Sequence, residues 1–261
     1  MSSSNLPDDT GCKIEVGALM SFGDALVLAV IPARGGSVGI PRKNLTRIGG
    51  GSLVGLAASL AVSIDWIDAV VVSTDDEEIR KEAVRHGATA PFRRPDALSG
   101  AKTSSIDTWR HAWIESETAY NKQFSISLLL EPTSPMRRAE DLERTVELLL
   151  QTGAAAAATV SRTPAHFTPQ KTLTIDASGT INFFFPDGHQ YALRQRIPAY
   201  YHRNGICYAV RRDTLLTDGT IIENDCRPVI IDRPVVNIDE VIDLKFAAFL
   251  MREEKDQTSF K

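Results

Sequence analysis

Cysteine is scarce in this chain. Its 261 residues include three, Cys12, Cys207 and Cys226. An odd number with no Cys-x-x-Cys pair argues against a disulfide framework or a zinc site and favours a reducing compartment, with the three acting as small buried apolar groups. Long apolar runs are missing too, since none reaches the roughly 20 residues that cross a bilayer. The polar opening 1–13 is unlike a signal peptide. Residues 1–24 therefore read as a loose tail, and the chain as cytoplasmic, without a membrane partner. Nor is there any basic excess. A net charge of −4 and a pI near 5.8 argue against nucleic acid and anionic membranes. A small phosphate ligand stays possible, because it needs only a few cations. The histidines are scattered, with no metal-ligand spacing and no Ser-His-Asp logic, and no internal repeat is visible.

What the chain does have is an ordinary globular composition, 43% hydrophobic and 24% charged. Continuous apolar runs at 26–31, 69–73 and 126–130 read as strands buried on both faces. Between them lie helical patterns. Ser52 caps one with Leu53, Leu56 and Leu60 on a face; another spans 76–86, with Gly87 as its stop; a third starts from a capping box of Ser104 and Asp107; a fourth covers 139–151. A strand of small residues at 154–160 follows. This alternation predicts an α/β fold with a parallel sheet and helices on both faces. The pattern breaks between about 161 and 198, where prolines, Gly179, Gly188 and the run Phe183-Phe184-Phe185 suggest an inserted hairpin or arm. Such an aromatic run serves either as an oligomer contact or as core. Strand character returns at 206–210 and 229–231, and a helix over 240–253 closes the chain.

Four stretches could carry chemistry. The loop Arg34-Gly-Gly-Ser-Val-Gly-Ile-Pro-Arg-Lys43 follows the first strand, where open α/β sheets bind ligands. Its glycines let backbone N–H groups approach a phosphate, and Arg34, Arg42 and Lys43 can neutralise a triphosphate. It matches neither GxxxxGK[ST] nor GxGxxG. Carboxylates stand at two strand ends, Asp75 and Asp239, and Mg²⁺ takes one or two carboxylates with phosphate oxygens and water. Spacing alone equally fits Asp239 as a helix cap. Arg94 and the hydroxyls of Thr103 and Ser105 could read a base edge. The stretch 200–208, with Arg203, Asn204 and Tyr208 and with Arg194 upstream, could bind an acidic sugar.

Taken together, IPARGGSVGIPRKNL (31–45), VVVSTDDEEI (70–79), RRP (93–95), LLLEPTSPMR (128–137), RNGICY (203–208) and NIDEVIDL (237–244) resemble the acylneuraminate cytidylyltransferase family, the CMP-sialic acid synthetases and their relatives. The likeness runs from about Leu26 to about Leu250. It implies a three-layer Rossmann-like nucleotidyltransferase domain over 25–255, with a mostly parallel sheet and a small dimerisation and sugar-binding arm at about 162–200. It also implies a homodimer that joins a 2-keto-3-deoxy sugar acid to CMP from CTP, with Mg²⁺ and release of pyrophosphate. Carried over by position, catalysis falls to Arg34, Lys43 and Asp239. Nucleotide binding falls to Ala33, Arg34, Gly35, Gly36, Ser37, Asn44, Arg94, Thr103 and Ser105. Sugar binding falls to Glu131, Lys171, Arg194, Asn204 and Tyr208, and the metal to Asp239 and Asn237.

Three positions depart from the family pattern. Val38 stands where a basic residue is usual, Asn237 where a second metal carboxylate is usual, and Glu131 where Gln is common. The first two fit an alternative, a CTP- and sugar-binding paralogue with little activity. The third points to an unusual sugar, or to a carboxylate that meets an amino group or the metal. A 3-deoxy-manno-octulosonate cytidylyltransferase is a further alternative, though that group has a different loop.

Overall fold

The computed structural model describes residues 25–37, 39–222 and 225–259. The expected tail at 1–24 and the departure at Val38 lie outside the described residues. In chain order the strands and helices are β1 (Val27–Pro32), β2 (Arg47–Ile48), β3 (Gly51–Ser52), α1 (Leu53–Val62), β4 (Ala69–Ser73), α2 (Glu77–Arg85), α3 (Ser105–Tyr120), β5 (Ile126–Leu129), α4 (Ala139–Thr152), β6 (Ala156–Arg162), β7 (Leu173–Ile175), β8 (Ile181–Phe183), β9 (Tyr201–Arg211), β10 (Cys226–Ile230) and α5 (Val241–Ser259).

Side chains alternate across a strand, and β1 shows what that does to an unbroken apolar run. Val27, Ala29 and Ile31 join a cluster with Val54 and Ala58 of α1, Ile79 of α2 and Leu142 and Val146 of α4. Leu28 and Val30 face the other way, against Trp109 and Trp113 of α3. Helices therefore cover both faces, giving the expected three layers. The sheet order is β10-β6-β9-β5-β1-β4. β1 is parallel to β4 and β5, and β10 to β6. The sheet is thus mostly parallel, as expected, with β9 the exception, antiparallel between β5 and β6. The reason is topological: β9 returns from the arm as the partner of β6, with Arg162 opposite Tyr201, and such a return needs no helical crossover.

The caps follow the sequence closely. Ser52 accepts from the Gly55 N–H at 3.1 Å, Asp76 from Glu78 and Ile79, and Ser104 from Ile106 at 3.1 Å. Asp107 does not close a capping box and instead pairs with Arg110 at 3.5 Å. In the arm, β7 and β8 form an antiparallel hairpin. Its apolar residues face outward: Phe183 is 42% exposed, Phe184 58% and Phe185 40%. Within one chain the core reading of this run therefore fails. Cys207 is buried and its thiol pushed up to about 12 by that burial, the inert state expected of a structural cysteine.

Candidate active site

The carboxyl ends of β1 and β5 open into a cavity of about 580 Å³. Its lining includes Arg34, Ser37, Gly39, Lys43 and Asn44 from the first loop, Arg94, Gly100, Thr103 and Ser105 from the stretch before α3, Glu131 to Thr133 from the loop after β5, and Asp239 with Glu240 ahead of α5. Four segments far apart in sequence thus meet where the sheet topology places a ligand. A second cavity of about 120 Å³ adjoins, lined by Ser105, Ile106, Leu129, Glu131, Arg203, Tyr208, Ile221 and Ile222.

Each cation is held by backbone oxygen. Lys43 donates to the Ile238 carbonyl at 2.8 Å and to the Asp239 carboxylate at 3.1 Å. Arg34 donates to the Gly100 carbonyl at 2.9 Å, and buried Asn44 fastens the loop by donating to the Arg34 carbonyl at 2.9 Å. Arg94 donates through Nε to the Ser73 hydroxyl at 3.2 Å and through Nη2 to the Ser73 carbonyl. Burial pushes its guanidinium down to about 10, with Asp75 opposing and Arg34 adding to the shift. A desolvated cation of this kind interacts strongly with an anion or a carbonyl that enters the cavity.

Several expectations are revised by this geometry. Arg42, with a left-handed backbone (φ 54°), turns away from the cavity and pairs with Asp76 at 3.2 Å and Glu78 at 2.7 Å. It therefore does not make up for a missing loop cation. The Gly35 N–H is spent on the Asp75 carboxylate at 2.9 Å, so Asp75 holds the loop and is absent from the cavity lining. Ala33 is fully buried with its N–H on the Ser73 carbonyl. Gly36 is exposed and open. Gly39 has a steric role: a Cβ there would come 2.5 Å from the Asp239 carbonyl. Asp239 is no helix cap. Asp243 accepts from the N–H groups of Asp239 and Glu240 at 3.0 and 2.8 Å, which frees the Asp239 carboxylate for Lys43.

The sugar-side expectations divide. Glu131 and Tyr208 line the second cavity, and the Tyr208 hydroxyl is pushed up to about 12, chiefly by burial. Asn204 does not face a cavity. It is buried, and its amide accepts from Thr159 at 2.7 Å and from the Ile206 N–H at 3.2 Å while donating to Ser161 at 3.0 Å. The cause is the register shift between β6 and β9, where Ala158 opposes Tyr208 but Val160 opposes Arg203. Unpaired backbone at such an irregularity needs side-chain partners, and Asn204 with Thr159 supplies them. Lys171 and Arg194 lie on the arm and are absent from both linings, with Lys171 donating to the Ala192 carbonyl at 3.3 Å. Asn237 is exposed and lines neither cavity. Arg203 and Glu240, assigned no site role by the resemblance, both line a cavity. Arg203 is offered by the stretch 200–208 itself, and the signal for Glu240 is its place beside Asp239.

No group of three or more His, Cys, Asp or Glu capable of holding a metal occurs among the described residues. A Mg²⁺ ion carried on a triphosphate needs less, one or two carboxylates with the remaining ligands from phosphate and water. The Asp239 carboxylate, paired with Lys43, 73% exposed at the side chain and on the cavity wall, meets that need.

Comparison with known proteins accords with this geometry. A family model described as cytidylyltransferase matches residues 28–256. A pseudaminic acid cytidylyltransferase from Campylobacter jejuni is 29% identical over 226 residues, covering 86% of this chain and 96% of its own. A CMP-N,N'-diacetyllegionaminic acid synthase from Legionella pneumophila is 29% identical, with the same coverage of each chain. Among solved structures, a CMP:2-keto-3-deoxy-manno-octonic acid synthetase complexed with CTP superposes with a TM-score of 0.66 at 20% identity, covering 88% of this chain and all of its own. With the family model spanning nearly the whole chain, this protein belongs to the cytidylyltransferase family and is a nucleotidyltransferase.

Proposed function

We propose that the protein transfers CMP from CTP to a 2-keto-3-deoxy sugar acid, a sialic acid or related nonulosonic acid, and releases pyrophosphate. The observation that carries this reading is the pair of adjoining cavities. The larger has cations suited to a triphosphate and a hydroxyl-rich end, and the smaller has Arg203 and Tyr208 suited to a sugar acid. The names of the relatives, which act on pseudaminic and legionaminic acids, support the same substrate class.

In-line attack of the anomeric hydroxyl on the α-phosphorus needs positioning and charge neutralisation more than covalent help. Arg34 and Lys43 neutralise the phosphates, and Arg94, Thr103 and Ser105 orient the base. Asp239 would hold Mg²⁺, which when bound adds charge neutralisation at the phosphates. Lys43 holds Asp239 in place, tying the phosphate loop to the segment ahead of α5 rather than to the strand end expected from sequence, since β10 ends at Ile230. The exposed arm supports a homodimer. Its outward aromatics suit a second copy, and Lys171 and Arg194 reach a sugar only if the arm serves a neighbouring protomer's cavity.

Pyrophosphate release from CTP, measured across a panel of sugar acids with and without Mg²⁺, tests the reading. The expected result is Mg²⁺-dependent release with at least one nonulosonic acid. Silence across the panel, with CTP binding intact by calorimetry, would instead support the paralogue of little activity.

A further inference from the structure

Glu131 stands where the two cavities meet. It and Ser105 line both. Its backbone carbonyl is fully used, accepting from the Ser134 N–H at 3.1 Å and from Arg137 at 2.9 Å. Its carboxylate, by contrast, makes no hydrogen bond to any described residue. Charged and titratable groups face it from several elements: Arg137 from its own loop, Arg203 and Tyr208 from β9, Lys43 from the phosphate loop and Asp239 from ahead of α5. None of them ties it down. Arg137 spends its donors on the carbonyls of Ile206, Gly205 and Glu131, and Lys43 on Ile238 and Asp239. Room for the carboxylate comes from Gly205, where a Cβ would lie 2.5 Å from Glu131 Oε2. An acceptor left open at the junction of a phosphate site and a sugar site is placed where the attacking hydroxyl must lose its proton.

We propose that Glu131 is the general base of the transfer reaction. As the anomeric oxygen bonds to the α-phosphorus, its proton passes to the Glu131 carboxylate. The bond from the α-phosphorus to the bridging oxygen breaks, and its electron pair leaves with pyrophosphate. Glu131 returns the proton to solvent once the products leave. The proposal rests on the cytidylyltransferase reading above. Gln at this position, common in the family the sequence resembles, cannot take a proton, so the group would be this chain's own device.

The test compares the 261-residue wild type with Glu131→Gln and Glu131→Asp by pyrophosphate release, calorimetric CTP binding and thermal unfolding. In Glu131→Gln, kcat should fall roughly 100-fold or more, within the usual range for a lost general base. CTP affinity and both KM values should stay within about threefold, again because a base acts in the transition state. The unfolding midpoint should not drop, and Glu131→Asp should recover part of the rate. An unchanged kcat overturns the proposal. A change confined to the KM of the sugar acid also overturns it, assigning Glu131 to sugar recognition. Parallel loss of midpoint and kcat without recovery in the aspartate variant overturns it in favour of a structural role. A wild type silent with every sugar acid fails at the earlier step and removes the reading on which the proposal stands.

Discussion

A half-buried carboxylate without a hydrogen-bonding partner carries a cost, and Glu131 shows it in its titration. Burial raises its carboxyl above the usual range, with Arg137, Arg203 and Lys43 pulling the other way. The folded state thus disfavours the ionised form. The penalty is absent at low pH, where the group is protonated folded or unfolded, and it grows as pH rises through the ordinary carboxylate range of about 4.3. Glu131→Gln should therefore unfold at a higher temperature than wild type at pH 7 and at a similar one near pH 4, measured by calorimetry. Asn204 should behave in the opposite way. Asn204→Ala strands the Ile206 N–H inside the sheet, while Thr159 keeps the Cys207 backbone as partner, and should cost about 1–3 kcal/mol in denaturant melts. From sequence alone Glu131 was readable as a departure, whereas nothing in the sequence told that Asn204 would spend its amide inside the sheet. Its motif neighbours did line a cavity, but the register shift that claims its amide depends on the pairing of two strands 45 positions apart.

At the scale of elements, the strands and caps were legible because their causes are local. An apolar run with Pro32 at its end, or Ser52 ahead of an apolar stripe, needs no distant partner to be read. The orientation of β9 was not legible, since hydrophobic alternation is the same for either direction of pairing. The outer helix α3 shows a further non-local device. Glu117 accepts from Trp113 at 3.0 Å, from the Phe124 N–H at 3.1 Å and from both ends of the Arg212 fork at 2.9 Å. Burial alone would raise its carboxyl, but Arg212 and the other donors together bring it below the ordinary value. The stability it contributes is present above the ordinary carboxylate range and disappears as pH falls through the lowered value. Glu117→Gln should destabilise by about 1–3 kcal/mol at pH 7, with the gap to wild type narrowing on acidification, as urea melts at pH 7 and pH 3 would show.

At the scale of the whole molecule, the arm turns an apolar face outward. Phe167 is 77% exposed, Ile175 72% and Ile181 63%, beside the three successive phenylalanines. So many large apolar groups on one small arm are the mark of an interaction surface. For the homodimer proposed above, replacing Phe184 and Phe185 with Ser should give a monomer in light scattering and lower turnover, leaving the unfolding midpoint of the isolated protomer nearly unchanged. The sequence located the arm by its break in pattern, but exposure is a property of the folded chain, and only there could contact and core be told apart. The pairing of Arg162 with Tyr201 has an engineering consequence. Where the arm leaves the sheet and where it returns are neighbouring, antiparallel strand ends, a geometry that a two-residue turn of the Asn-Gly kind can close. Excising residues 163–200 and splicing in such a turn should yield a shorter chain that still folds and binds CTP, with sugar activation gone: the nucleotide half and the arm would part as separable modules along a seam one hairpin wide.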